Sequence, residues 1–134
     1  MTWLITGGAG YIGAHVVENT KFSDRDVVVL DDLSTGIASR LGSGIPLVQI
    51  SLQHVSDLDR VFQDADITGV LHLAAKKRVG ESVERPDYYW QENVVGLQNL
   101  LDAMKRHDVK KFVFSSSAAV YGQPDVPFGT LITE

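Results

Sequence analysis

The stretch Leu4-Ile5-Thr6-Gly7-Gly8-Ala9-Gly10-Tyr11-Ile12-Gly13 decides the fold. An apolar run ends in four glycines within seven residues, and a helix-compatible segment, Tyr11 to Asn19, follows at once. Glycine has no Cβ, so such a loop turns sharply and brings its main chain close to a ligand. The following helix aims unpaired N–H groups and the positive end of its dipole at the same point, which suits a phosphate or pyrophosphate. Two registers fit: Gly8, Gly10 and Gly13 read G-x-G-x-x-G, and Gly7, Gly10 and Gly13 read G-x-x-G-x-x-G.

A glycine motif alone is weak evidence, and its surroundings strengthen it. Trp3–Thr6 reads as a strand before the loop, and a second strand, Val27–Leu30, ends in Asp31-Asp32. An acid at the tip of the second strand, roughly 20 residues past the glycines, stands where a dinucleotide's ribose hydroxyl would be held. The bland alternative is a tight turn followed by a solvated acidic loop.

Strand-like and helix-like segments alternate along the rest of the chain. Pro46–Ile50 is expected as a third strand, Gly69–Leu73 as a fourth and Lys111–Ser115 as a fifth. Ser56-Asp57-Leu58-Asp59 resembles an N-cap with acids in the first turn, leading to Val61-Phe62. Pro86 suits the first turn of a long helix to about His107, with one apolar stripe of Tyr89, Val94, Leu97, Leu100, Leu101 and Met104. Lys105, Arg106 and His107 would complement its dipole. The pattern predicts an α/β fold, a Rossmann-type doubly wound parallel sheet with helices on both faces. Ligands in such sheets bind beyond the carboxyl ends of the strands, so the informative residues should follow strands. Ser34–Gly44 and Gln123–Thr130 read as loops rich in turn residues.

The 134 residues suit one domain, and the 44% hydrophobic content can fill a core. The net charge of −5 argues against nucleic acid or an anionic membrane as partner, since both need a basic patch. With no cysteine there is no disulfide framework and no thiolate chemistry, which fits a cytoplasmic location. No apolar run approaches a membrane span, and the N-terminus lacks a signal pattern, so Met1 is expected near the true start. The histidines His15, His54, His72 and His107 lack ligand spacing, so no metal is expected, and His72 reads as a core histidine.

Five blocks in order carry a resemblance. They are Thr6 to Gly13, Asp31-Asp32-Leu33-Ser34-Thr35-Gly36, Leu73-Ala74-Ala75-Lys76-Lys77-Arg78-Val79-Gly80-Glu81-Ser82, Asn93-Val94-Val95-Gly96 and Phe114-Ser115-Ser116-Ser117-Ala118-Ala119-Val120-Tyr121-Gly122. Together they resemble the extended short-chain dehydrogenase/reductase family and, within it, the UDP-glucose 4-epimerases. The resemblance implies NAD as cofactor, bound by Gly7, Gly10, Tyr11, Ile12, Gly13, Asp31, Asp32, Leu33, Ser34, Thr35, Gly36, Leu73, Ala74, Ala75, Lys77 and Asn93. Tyr11 and Ile12 would lie against the pyrophosphate and Asp31 on the adenine ribose, where an acid also repels a 2′-phosphate and favours NAD over NADP. Arg40 reads as a solvated loop charge. Lys77 matches the lysine near the nicotinamide ribose, while Lys76 and Arg78 are surface or sugar-nucleotide candidates. Asn93 either contacts the cofactor or ties helix to loop. Ser117 matches the catalytic serine that hydrogen-bonds the sugar 4-oxygen; Ser115 and Ser116 read as strand-end backbone partners. Ser51 stands where an adenine-side acid is common.

The resemblance further implies NAD-dependent interconversion of UDP-glucose and UDP-galactose, by oxidation at C4, rotation of the 4-keto sugar and re-reduction. Dehydratases of the family carry an Asp-Glu pair after the matching serine. Here Ala118 and Ala119 stand there and cannot transfer protons. The family's base is a tyrosine in Tyr-x-x-x-Lys, whose lysine lowers the phenol pKa. Four residues after Tyr11, Tyr88, Tyr89 and Tyr121 come His15, Glu92, Asn93 and Asp125, none of them lysine. In the family that motif and a C-terminal substrate subdomain lie beyond the point matching Glu134. Residues 1–134 are therefore expected to form the N-terminal part of an NAD-binding domain that is inactive alone, with an exposed sheet edge. A stand-alone or decayed NAD-binding module is the alternative. A nucleotide-sugar substrate and possible homodimerisation are expectations for a full-length form.

Overall fold

Five short runs rich in β-branched and aromatic residues pair into one parallel sheet. In the computed structural model, which describes residues 1–20, 26–117, 120 and 122, they are β1 (Thr2–Thr6), β2 (Asp26–Leu30), β3 (Leu47–Val48), β4 (Ile67–His72) and β5 (Lys111–Phe114). The strand order is β3-β2-β1-β4-β5, every pairing parallel. The helices are α1 (Tyr11–Thr20), α2 (Val55–Asp64), α3 (Val79–Glu84), α4 (Pro86–Trp90) and α5 (Gly96–Arg106); a π-helical turn, Gln91–Val95, joins the last two. The chain winds outward from β1 to β3, then crosses to β4 and winds the other way. β1 thus lies at the topological switch point, and the glycine loop leaves from the middle of the sheet.

Alternate residues of the strands feed two cores. Leu4, Val28, Leu30 and Val70 meet α2 and α5 through Leu58, Phe62, Leu100 and Met104. Ile5 and Val29 meet α1 through Val17 on the other face. The doubly wound arrangement expected from the alternation is the one observed.

The structure corrects several boundaries. The third strand shortens to two residues. α2 opens at Val55, after His54, and Ser56 lies inside it with no side-chain cap at the boundary. The single helix expected from Pro86 to His107 is interrupted by the π turn, whose extra residue per turn rotates the apolar face. Gly96, Leu100, Ala103 and Met104 are buried as a result, whereas Val94 and Leu101 of the expected stripe are exposed. α3 falls where no helix was expected: its Val79 and Val83 point to solvent, so it has no buried stripe to betray it. α5 ends in a Schellman closure, with Asp108 left-handed at φ 54 and Val109 N donating to Met104 O at 2.8 Å. Arg106 and His107 meet Asp59 of α2 at 3.0 and 3.1 Å, joining the two helices on that face.

His72 is a core histidine, as expected. It is 3% exposed, its Nδ1 lies 2.6 Å from Thr6 Oγ1, and the Phe112 and Phe114 rings lie along it. Burial pushes its pKa down to about 4. The unfolded chain binds this proton near the ordinary value of about 6.5, so stability is full above that pH and falls as pH drops towards 4. The expected loss is about 3 kcal/mol. Urea unfolding at pH 7.0 and pH 4.0 checks this, because His72→Gln should show a correspondingly smaller loss.

Candidate cofactor-binding site

The glycine loop is shaped by two contacts that leave no space for a side chain. Gly7 adopts φ +70, and a Cβ on it would stand 2.7 Å from Ala74 N, so the loop after β4 rests directly on it. A Cβ on Gly13 would stand 2.2 Å from Gly7 O and 2.6 Å from Gly8 Cα, so the first turn of α1 sits on the loop it follows. Gly10 N donates to Gly7 O at 3.1 Å and Ala14 N to Gly10 O at 3.0 Å. Both registers read from the sequence are thus in use: Gly7 makes the turn, Gly8 is buried under Val29, and Gly13 admits the helix. Tyr11 and Ile12 stand exposed at the amino end of α1, where no intrahelical carbonyl can satisfy the first N–H groups.

Asp31 at the tip of β2 is 6% exposed. Its Oδ2 accepts from Ala9 N at 3.0 Å and its Oδ1 from Leu33 N at 2.9 Å. Ile37 N adds a bond to Ala9 O at 2.9 Å, so the loops after β1 and β2 are sewn together. Gly36 packs on the Asp31 carboxylate. Leu33 is left-handed at φ 58, a conformation that costs a branched side chain about 1–2 kcal/mol and that the Asp31 bond helps hold. Asp32 accepts from Ser34 N at 2.9 Å and Ser34 Oγ at 2.6 Å. Burial alone would raise its pKa, but the Ser34 bonds and the Lys76 ammonium outweigh burial and hold it below the usual range. Ser34 and Thr35 are exposed.

The loop after β4 begins with Leu73 N donating to Thr6 O at 3.0 Å. Ala74 leans on Gly7 and Ala75 faces outward. Asn93, in the π turn, forks onto Lys76: its Oδ1 accepts from Lys76 N at 2.8 Å and its Nδ2 donates to Lys76 O at 2.9 Å. Of the two readings of Asn93, the tie between helix and loop is the contact present. Lys76 Nζ turns inward onto Ser34 Oγ, with Asp32 at 3.7 Å, Glu92 at 4.0 Å and the Tyr88 ring 5.8 Å away. Burial alone would lower its pKa, yet Asp32, Tyr88 and Glu92 raise it, so it is a firmly held cation. Lys77 is exposed beside it. Sequence reasoning leaves Lys76 as a surface or sugar-nucleotide candidate. Within Lys76-Lys77-Arg78 nothing in the sequence marks which residue turns in; in the structure the Asn93 fork fixes the Lys76 backbone while its ammonium meets Ser34, Asp32 and Glu92.

Ser115 N donates to His72 O at 3.1 Å, as expected of a strand-end partner. Ser117 is exposed just beyond β5, and its carbonyl accepts from Val120 N at 3.1 Å. Ala118, Ala119 and Tyr121 lie outside the described residues, as does the loop 123–130. Ser51 Oγ accepts from Gln53 N at 3.2 Å, a local turn, and Arg40 is an exposed loop charge. Among the described residues no cluster of His, Asp or Glu could hold a metal, and no helix is long and apolar enough to cross a membrane.

Residues 3–133 match the model of the NAD dependent epimerase/dehydratase family. The chain belongs to this family. It is 42% identical over 126 residues to a UDP-glucose 4-epimerase of Corynebacterium glutamicum, an alignment covering 94% of this chain and 38% of that protein. It superposes with TM-score 0.89 and 38% identity on the Thermus thermophilus UDP-glucose 4-epimerase in complex with NAD, covering 100% of this chain and 43% of that one. The Thermotoga maritima UDP-glucose 4-epimerase with UDP-glucose gives TM-score 0.87 at 35% identity, over 97% of this chain and 42% of that one. The chain thus spans about two-fifths of the length of these relatives and matches the N-terminal, Rossmann-like portion of epimerase structures.

NAD is the cofactor of the family, and the residues present fit it. Gly7 and Gly13 let the loop after β4 and the first turn of α1 close onto the turn after β1, at the amino end of a ten-residue helix. A buried carboxylate stands one strand away. Gly13→Ala should force α1 off the loop, costing about 1–3 kcal/mol of stability and weakening NADH binding at least tenfold. Urea denaturation and NADH titration measure the two effects.

Proposed function

We propose that residues 1–134 form an NAD-binding domain of a UDP-glucose 4-epimerase, with the dinucleotide lying across the carboxyl ends of β2, β1 and β4. The observation that carries this reading is the junction of Gly7, Gly13 and Asp31 at the switch point. In this reading the first turn of α1 binds the pyrophosphate through the N–H groups of Tyr11 to Gly13. Asp31 keeps spare lone pairs for the adenine ribose, since each carboxylate oxygen has two and the backbone bonds occupy one on each. Leu73 to Ala75 wall the cleft, and Lys77 reaches towards the nicotinamide ribose. Bound NAD would supply a hydride acceptor and donor at the sugar C4, the chemistry that interconversion of UDP-glucose and UDP-galactose requires. Ser117 hydrogen-bonds the C4 oxygen and positions it. The proton of that hydroxyl must go to a base. The tyrosines in 1–134 all lack the partnering lysine, and Tyr89 donates to Glu81 at 2.9 Å while its pKa is raised by its burial and by Glu81, the opposite of what a base needs. The proton acceptor is therefore assigned to a Tyr-x-x-x-Lys outside these residues.

The purified chain should bind NADH, read as quenching of Trp3 and Trp90 with sensitised NADH emission, and show no turnover of UDP-galactose. Asp31→Asn should weaken NADH binding about tenfold, which corresponds to about 1.4 kcal/mol, while leaving NADPH binding less affected. Absence of NADH binding, or equal losses for the two cofactors, would count against the assignment.

A further inference from the structure

We propose that Lys76 is a positioning residue that clasps the loops after β2 and β4 together across the glycine loop, slowing the escape of bound dinucleotide. The inference rests on the NAD site proposed above and adds the element that holds it shut.

Topology sets the argument. β2 and β4 flank β1 on opposite sides, so any contact between the loops that follow them must pass in front of the loop that follows β1. Lys76 makes that contact. Its ammonium reaches Ser34 Oγ and the Asp32 carboxylate on the far loop, and Glu92 on the helix behind it. The Lys76 side chain is only 10% exposed, and its acids are 33% and 21% exposed, so the network is sheltered from the solvent screening that makes surface pairs weak. The base of the strap is also fixed: Asn93 grips both the N–H and the carbonyl of Lys76, and the same loop rests on Gly7. The far anchor is fixed by Asp31, which ties its own loop to Ala9. Lys76 is thus the charged bridge, among the described residues, between two otherwise immobilised walls of the cleft. A dinucleotide lying along the glycine loop would have to break this bridge to leave or enter.

Displacement of NADH by excess NAD, followed by tryptophan-sensitised emission in a stopped-flow mixer, tests the clasp. Lys76→Met should accelerate release about tenfold. Lys76→Arg should remain within about threefold of the wild type. Asp32→Asn, which opens the bridge from the other side, should speed release similarly, and the double variant should release no faster than either single one. Circular dichroism confirms that each variant is folded, and should Lys76→Met not fold, Lys76→Arg and Asp32→Asn carry the test. Unchanged release in Asp32→Asn, or additive effects in the double variant, overturns the clasp. A wild-type chain that binds no NADH overturns the proposed cofactor site itself, a result distinct from binding that is indifferent to Lys76.

Discussion

The site depends on a buried carboxylate held by backbone N–H groups. A charged group taken out of water is costly unless hydrogen bonds replace the lost solvent, and Asp31 obtains them from Ala9 and Leu33. Those two donors belong to different loops. Satisfying one side chain therefore fixes the spacing between the turn after β1 and the turn after β2. The left-handed backbone at Leu33 serves the same demand, since in that conformation its N–H points back to Asp31. The glycine contacts complete the arrangement from the other direction, because Gly7 lets the loop after β4 approach and Gly13 lets α1 do so.

These ties form a series across the mouth of the sheet. Asp31 joins the first loop to the second, Lys76 the second to the fourth, and Asn93 the fourth to the helix behind it. Each is polar, yet each is at least partly sheltered, and each spends a side chain on another stretch of backbone or on a counter-charge. The walls of the cleft are thereby preorganised, which lowers the ordering cost of binding. His72 and Thr6 carry the same logic into the sheet itself, where a neutral imidazole and a hydroxyl satisfy one another beneath the loops.

Much of this was legible in the chain. Unbroken apolar runs between helical segments gave the parallel sheet, because β1, β2 and β4 are covered on both faces. The glycine spacing and Asp31 marked the turns where the loops after β1, β2 and β4 meet, since close approach needs glycine and the buried backbone N–H groups need an acceptor. Lys76 was hidden, because inward rotation of one basic residue among three depends on a fork from Asn93 seventeen positions away. α3 was hidden because its valines are exposed, and the π turn because periodicity reports a phase but not an inserted residue. Features set by local pattern were readable; those set by long-range polar pairing were not.

In the proposed reading, the same geometry would favour NAD over its 2′-phosphorylated form. Two unit charges 4 Å apart interact by about 4 kcal/mol at the effective dielectric near a protein surface. A 2′-phosphate beside Asp31 would bring close to two negative charges against a carboxylate whose described partners are neutral N–H groups. The ammonium of Lys76 is directed at Asp32 and Ser34 instead. It pairs with the second acid and leaves the first without a cation among its described contacts. In the proposed reading, moving that ammonium to Asp31 would weaken both the clasp and the discrimination, so the adjacent pair Asp31-Asp32 would divide two tasks between its two acids.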